Sequence, residues 1–281
     1  MLKKLFISFT ITISFIILLI YFTSQKEKEN KIGVIVSILP QVEFVEKVGG
    51  ERVKITVMVP PMASPHTYEP KASQLVEVSK AKIYFKVGSG IEFEKVWWNK
   101  IISMNPDIYI INASEGIEIM DKDPHIWLSP KIAEKMVENF YNGIIKVDPE
   151  HKEEYRKNKE KYIEELKELD RFIRNLFEKY ENRVFLIYHP SFGYFAREYN
   201  LTQLAIEEEG KEPSPSQLKK CIENAKKYNL SYVYISPQIS ESYANVIANE
   251  IKGEIIKIDP LAPNYINNMR NVAILLSKEF E

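Results

Sequence analysis

Three of the four histidines in this 281-residue sequence lie in short, proline-containing loops next to predicted strands or helices. His66 occurs in PPMASPHTYEP, His125 in DPHIWLSP and His189 in YHPSFGY. Loops that leave the strands of a parallel sheet converge at its carboxyl edge, where ligands bind. The spacing therefore predicts that these three imidazoles meet. The fourth, His151, lies in the first turn of a charged helix and is expected to face water.

A carboxylate completes a candidate metal site. Asp259 directly follows the predicted strand 254–258 and precedes Pro260. Three neutral imidazoles and one carboxylate form a ligand set that suits Zn²⁺ or another borderline transition metal. Cys221 is the only cysteine, which excludes a thiolate-rich site and an intramolecular disulfide. Four protein ligands can fill the coordination of a transport or structural site, whereas a hydrolytic zinc site keeps one position for water.

The elements that must position these residues follow an alternating pattern. Short β-branched or aromatic segments alternate with longer amphipathic ones, which predicts an α/β fold with parallel sheets. The predicted strands are 32–39, 53–59, 83–87, 108–112, 184–188, 201–206, 232–235 and 254–258. The predicted shorter helices are 41–48, 73–81, 92–105, 130–146, 191–199, 215–229, 241–252 and 264–280.

One long helix separates the two sets of strands. It is predicted to begin at Asp148-Pro149, an N-cap acceptor followed by proline, and to run to about Tyr180 with no Gly or Pro after Pro149. Its apolar residues form a single stripe, so the opposite, charged face is solvated. The sequence thus predicts two lobes with mostly parallel sheets, joined by a single long helix. The predicted parts are a signal or anchor segment 1–25, an N-terminal lobe 26–147, the linking helix 148–181 and a C-terminal lobe 182–281.

The N-terminal segment predicts an extracytoplasmic location. Lys3 and Lys4 precede 18 uncharged residues, 5–22, which as a helix would span roughly 27 Å, close to the thickness of a bilayer core. A short positive segment before an apolar run is an export signal. Because no small-residue cleavage site follows, we favour an uncleaved membrane anchor, and a cleaved signal that leaves a secreted protein is the alternative. The net charge of −1 argues against nucleic acid as a partner.

Five segments resemble, in order, the motifs of the solute-binding proteins of zinc and manganese ABC importers. They are ASPHTYEP at 63–70, DPHIWLSP at 123–130, HPSFGYFAREYNL at 189–201, EPSP at 212–215 and IDPL at 258–261. The resemblance implies two α/β lobes joined by one long helix, with the metal in the cleft between them. It implies the ligands His66, His125, His189 and Asp259, the four residues that ligand chemistry also selects. Its implied partners are the membrane permease subunits of an ABC importer.

The third ligand position favours zinc as the cargo. In the family's manganese members this position is typically a glutamate, whereas here it is His189. Nitrogen donors also favour Zn²⁺ over Mn²⁺ in the affinity series. Mn²⁺ is the alternative, because some members with histidine at this position are thought to carry it. Residues 115–122 contain no histidine, so the His-rich loop of many zinc members is absent.

The favoured function is therefore that of a monomeric, extracytoplasmic metal-binding protein that delivers its ion to a permease and is not an enzyme. A zinc-dependent hydrolase with the same cluster is the alternative, and it would need an open coordination position and a general base. A third hypothesis is an adhesin whose bound metal ion only stabilises the fold. A nucleotide enzyme is disfavoured, because Phe93 follows Gly88-Ser89-Gly90 where a dinucleotide motif has its third glycine.

Overall fold

Two four-stranded parallel sheets form the framework of the computed structural model, which describes residues 31–120, 123–207 and 212–281. The strands are β1 Ile32–Val36, β2 Val53–Val57, β3 Ile83–Lys86, β4 Tyr109–Asn112, β5 Val184–Ile187, β6 Thr202–Ala205, β7 Tyr232–Ile235 and β8 Glu254–Lys257. Within the described residues the strand order is β2-β1-β3-β4 in one sheet and β6-β5-β7-β8 in the other. Every pairing in these two sheets is parallel. The predicted α/β class is confirmed.

Helices connect the strands in the predicted order. They are α1 Pro40–Gly49, α2 Ala72–Lys80, α3 Glu92–Met104, α4 Pro130–Val147, α5 Lys152–Glu178, α6 Gly193–Tyr199, α7 Pro215–Lys227, α8 Ser242–Ile251 and α9 Tyr265–Ser277. β1 is shorter than predicted. Its ladder stops at Val36 because the backbone N–H groups of Ser37 and Ile38 donate to Gln41 Oε1, at 3.0 and 3.2 Å, and turn the chain into α1.

The start of the long helix differs from the prediction. A 3₁₀ turn, Pro149–His151, precedes the 27-residue helix α5, and the Asp148 side chain makes no capping hydrogen bond. Its carboxylate accepts instead from His151 Nδ1 at 2.8 Å and from Tyr155 Oη at 2.6 Å. Two predictions are therefore wrong: Asp148 is not a side-chain N-cap, and the His151 ring faces a carboxylate rather than water alone.

The long helix α5 belongs to the core of both lobes, where the N-terminal lobe comprises the elements before α5 and the C-terminal lobe those after it. α5 packs against α1 and α4 of the N-terminal lobe and against α9 of the C-terminal lobe. Its buried residues are Tyr155, Tyr162, Leu166, Leu169, Ile173 and Phe177. Phe44 of α1 also contacts Tyr265 of α9 directly, with ring centroids 4.9 Å apart. One apolar core therefore crosses from lobe to lobe, and large hinge motions would expose it to water.

The predicted membrane anchor, residues 1–25, lies outside the part of the chain that the structure describes. Among the described helices, none combines the length and the apolar character needed to cross a bilayer.

Candidate metal centre

The three loop histidines lie near the carboxyl ends of the strands. His66 lies between β2 and α2, His125 immediately precedes a 3₁₀ turn that leads into α4, and His189 follows the end of β5. The first two belong to the N-terminal lobe and His189 belongs to the C-terminal lobe. Any group bound between them would therefore contact both lobes.

The His189 ring is at the centre of the cluster. Its Nε2 atom lies 3.3 Å from Nε2 of His125, and the two ring centroids are 5.2 Å apart. The His66 ring is edge-on to the His189 ring, at a centroid distance of 5.1 Å. The fold thus brings together imidazoles from three separate loops.

Desolvation favours the neutral form of two of these rings: His125 is buried, whereas His66 is exposed as a residue and only its ring is partly desolvated beside its neighbours. His125 is only 8% exposed, and burial lowers its pKa, although Asp123 acts in the opposite direction. The pKa of His66 is also lowered, first by desolvation and then by the neighbouring rings of His189 and His125. Neutral imidazole is the form that binds a metal ion. The lowered pKa of each of these two rings therefore favours the protonation state that a cation requires.

Two carboxylates that the sequence analysis did not identify accept hydrogen bonds from the Nδ1 atoms of His125 and His189. Asp123 Oδ1 accepts from His125 Nδ1 at 2.7 Å, and Glu207 Oε1 accepts from His189 Nδ1 at 3.0 Å. The sequence offers weak signals for both. Asp123 is two residues before His125, and Glu207 begins a run of acids directly after a predicted strand.

Asp123 also lies against the opposite lobe. A Cβ atom at Gly193, the first residue of α6, would overlap Asp123 Oδ2. The backbone N–H of Met120 donates to Tyr194 Oη at 2.6 Å in the same region. A side chain at Gly193 would therefore push apart two loops that carry the histidine cluster.

One oxygen of the Asp259 carboxylate has hydrogen-bond partners within the C-terminal lobe. Its Oδ1 atom accepts from Gln238 Nε2 at 3.0 Å and from the backbone N–H of Leu261 at 2.9 Å. Within residues 31–120, 123–207 and 212–281, no three His, Cys, Asp or Glu side chains form a ready set of metal ligands. The four-residue ligand set therefore stays a prediction.

Trp127 joins the two loops that carry His125 and Asp259. Its indole Nε1 donates to the carbonyl of Pro260 at 2.7 Å, and its own carbonyl accepts from Tyr265 Oη at 2.7 Å. The indole is 1% exposed and contacts the His125 ring, at a centroid distance of 5.3 Å. The backbone beside Asp259 is thus tied to the N-terminal lobe.

Comparison with known proteins identifies relatives over most of the chain. The chain is 30% identical over 252 residues to the high-affinity zinc uptake system protein ZnuA of Bacillus subtilis, covering 81% of this chain and 78% of that protein. It is 28% identical over 247 residues to the manganese-binding lipoprotein MntA of Halalkalibacterium halodurans, covering 83% and 81%. The zinc-binding lipoprotein AdcA of Streptococcus pneumoniae is 27% identical over 264 residues, covering 86% of this chain but only 52% of AdcA.

The fold gives the same result. A crystal structure of ZnuA superimposes with a TM-score of 0.86 at 36% identity, covering 89% of this chain and 100% of that chain. The sequence profile of the family described as zinc-uptake complex component A, periplasmic (ZnuA), matches residues 34–278. This profile match spans most of the sequence, and the chain therefore belongs to the ZnuA family.

Proposed function

We propose that this protein captures a divalent transition metal ion, Zn²⁺ in preference to Mn²⁺, with His66, His125, His189 and Asp259 as ligands. The family is a component of metal uptake, and relatives are a zinc-uptake protein and a manganese-binding lipoprotein. These comparisons give no support to the hydrolase alternative. We therefore assign the cluster to ion binding without catalysis.

The separation of two ring nitrogens carries the proposal. Two imidazole nitrogens that bind the same tetrahedral zinc ion at about 2.0–2.1 Å lie about 3.3 Å apart. The Nε2 atoms of His125 and His189 are 3.3 Å apart. These two rings therefore already have the spacing of zinc ligands, although they come from different lobes.

His66 and Asp259 would complete the coordination. His66 is the exposed member of the cluster and lies beside the His189 ring. Both hydrogen bonds of the Asp259 carboxylate go to Oδ1, so we assign Oδ2 to the ion. Three nitrogen donors and one oxygen donor favour Zn²⁺, because Mn²⁺ prefers a larger share of oxygen ligands.

An ion held by residues of both lobes stabilises the arrangement in which the lobes are closed around it. We propose that membrane permease subunits of an ABC importer recognise this arrangement and receive the ion outside the cytoplasm. The periplasmic family and the lipoprotein relatives support that location. We further propose that the protein acts as a monomer that residues 1–25 attach to the membrane.

Zinc titration of a histidine variant tests the site. His189→Ala should weaken zinc binding by more than about 100-fold, since removal of a mere partner of a metal ligand already costs about 10–100-fold. His151→Ala is the matched control, because His151 lies at the start of the long helix and bonds to Asp148. Affinity is measured by competition with a chromophoric chelator. Equal affinities of His189→Ala and the unmodified protein would remove the basis for this site.

A further inference from the structure

Two carboxylates form a symmetric arrangement around the paired histidines. From one lobe to the other the order is Asp123, His125, His189 and Glu207, joined by contacts of 2.7, 3.3 and 3.0 Å. In each half a carboxylate oxygen meets Nδ1, and in the middle the two Nε2 atoms face each other. Both carboxylates are thus bonded to the ring nitrogens that point away from the proposed ion.

This arrangement selects one tautomer of each ring. An ionised carboxylate has only acceptor oxygens, so the Nδ1 atom that meets it must carry the proton. A neutral imidazole with its proton on Nδ1 has its lone pair on Nε2. The carboxylates therefore leave both Nε2 lone pairs available to a cation between the lobes.

The backbone fixes the position of Glu207 without help from the histidine. The N–H of Glu207 donates to the carbonyl of Tyr188 at 2.9 Å, which continues the parallel pairing of β5 and β6 beyond Ala205. This pairing places Glu207 beside His189, the residue after Tyr188. The carboxylate is also buried, since Glu207 is only 8% exposed. The sheet therefore holds an acid behind the ligand ring.

We propose that Glu207 is a positioning residue for His189, as Asp123 is for His125, and that each acts by holding the ring with Nε2 towards the cleft. The inference rests on the proposed function, because it assigns a role within the same metal site. Glu207 does not touch the ion. It fixes the orientation of the ring and strengthens its donor nitrogen, so the ion binds a ring that is already in place.

Two substitutions separate hydrogen bonding from packing. Glu207→Ala removes the acceptor and should lower zinc affinity about 10–100-fold. Glu207→Gln keeps an oxygen that can accept from Nδ1, so its loss should be smaller. Glu181→Ala is the control and should bind zinc like the unmodified protein, because Glu181 is an exposed acid that precedes β5, at the opposite end of the strand from His189. Affinities are measured by chelator competition on the full-length chain in detergent.

A spectroscopic measurement reports on the tautomer directly. In the zinc-loaded protein labelled with ¹⁵N-histidine, nuclear magnetic resonance should show His189 bonded to zinc through Nε2, with an Nδ1 proton that exchanges slowly with water. In Glu207→Ala this proton should exchange faster, and in Glu207→Gln it should persist. A residue that only packs against the ring would change stability without changing this exchange.

The outcomes distinguish the two proposals. If the unmodified protein binds no zinc, the proposed function fails. If it binds zinc and folded Glu207→Ala binds equally well, the positioning role is overturned while the proposed function stands. Should Glu207→Ala not fold, the spectrum of the unmodified protein decides. Coordination of His189 through Nδ1, or an unprotected Nδ1 proton, would then refute the positioning role.

Discussion

The paired histidines, His125 and His189, and the His66 loop, residues 60–71, are held by the chain in different ways. Each paired ring has a carboxylate on its Nδ1 atom, and Trp127 packs beside His125. His66 is exposed in a loop without helix or strand, and its backbone N–H donates to Ser64 Oγ at 3.3 Å. One part of the site is therefore preorganised, and the other part depends on a loop.

This difference assigns separate roles to the two regions. Rings already in place lose little conformational entropy when an ion binds, so the paired histidines should supply most of the affinity. The His66 loop contains Met62, whose φ of 65° lies in the left-handed region and whose surface is 65% exposed. Loops of this kind are drawn from the less stable parts of a structure. We therefore expect the ion to enter and leave past the His66 loop.

The largest test compares two ligand deletions. His125→Ala should reduce zinc affinity by more than about 100-fold, because it removes a preorganised donor whose partner loss alone would cost about 10–100-fold. His66→Ala should reduce affinity less, because water can replace a donor on an exposed loop. The main effect of His66→Ala should instead be faster dissociation of zinc, because the His66 loop lies on the proposed exit route. Stopped-flow exchange with a chelator measures this rate. Equal losses in the two variants would abolish the distinction between the paired histidines and the loop.

A smaller effect should follow from loosening the contact behind His125. Trp127→Phe removes the indole donor and leaves the buried carbonyl of Pro260 without it, which costs about 1–3 kcal/mol of unfolding free energy. Zinc affinity should fall by less than in the ligand deletions, since all four proposed ligands remain. Urea denaturation and zinc competition measure the two effects.

Trp98→Phe provides a matched control for that substitution. Trp98 is half-buried on α3, where its ring contacts Tyr84 at a centroid distance of 5.4 Å and the ammonium group of Lys86. It should leave zinc affinity unchanged. If Trp127→Phe also left both stability and affinity unchanged, the contact with Pro260 would not hold the paired histidines.

The sequence predicts the positions of the ligand loops well, because they follow strongly apolar strands. Parallel strands order their carboxyl ends along one edge, so His66, His125 and His189 could be expected to converge from their positions alone. Glu207 could not be singled out in the same way. It lies in a run of acids, and only the pairing register of β5 and β6 shows that this acid faces His189.

Side-chain orientation is the other feature that the sequence could not supply. Asp259 lies after its strand as expected, but its sequence neighbourhood does not show that Gln238, from a different loop, donates to its Oδ1 atom. Asp148 similarly has a typical N-cap sequence, yet His151 and Tyr155 compete successfully for its oxygens. The partner of Asp259 lies 21 residues away in another loop, where local patterns give no indication of it. The partners of Asp148 lie only three and seven residues further along, but the sequence does not show that they compete with the capping contact.

The smallest test is the dependence of stability on pH in the metal-free protein. Burial and the neighbouring rings lower the pKa of His66 in the folded state, whereas unfolded histidine titrates near about 6.5. Its contribution to the free energy of unfolding is therefore complete above that pH. It is lost progressively as the pH falls below about 6.5, because the unfolded chain then takes up a proton that the folded ring does not.

The titration of Glu279 changes the free energy of unfolding with pH in the opposite direction. Glu279 is therefore replaced so that the contribution of His66 can be measured. Burial raises the pKa of Glu279 to about 7, so its contribution is greatest at low pH and is lost as the pH rises through that value. In a Glu279→Gln background, adding His66→Gln should reduce the stability that the protein loses between about pH 7.5 and 5.5, as urea denaturation measures. Burial also raises the pKa of Glu94 and Glu134, so the comparison of the two variants isolates the contribution of His66. An unchanged pH slope would mean that the His66 ring is solvated, and that the loop does not rest against the paired histidines in solution.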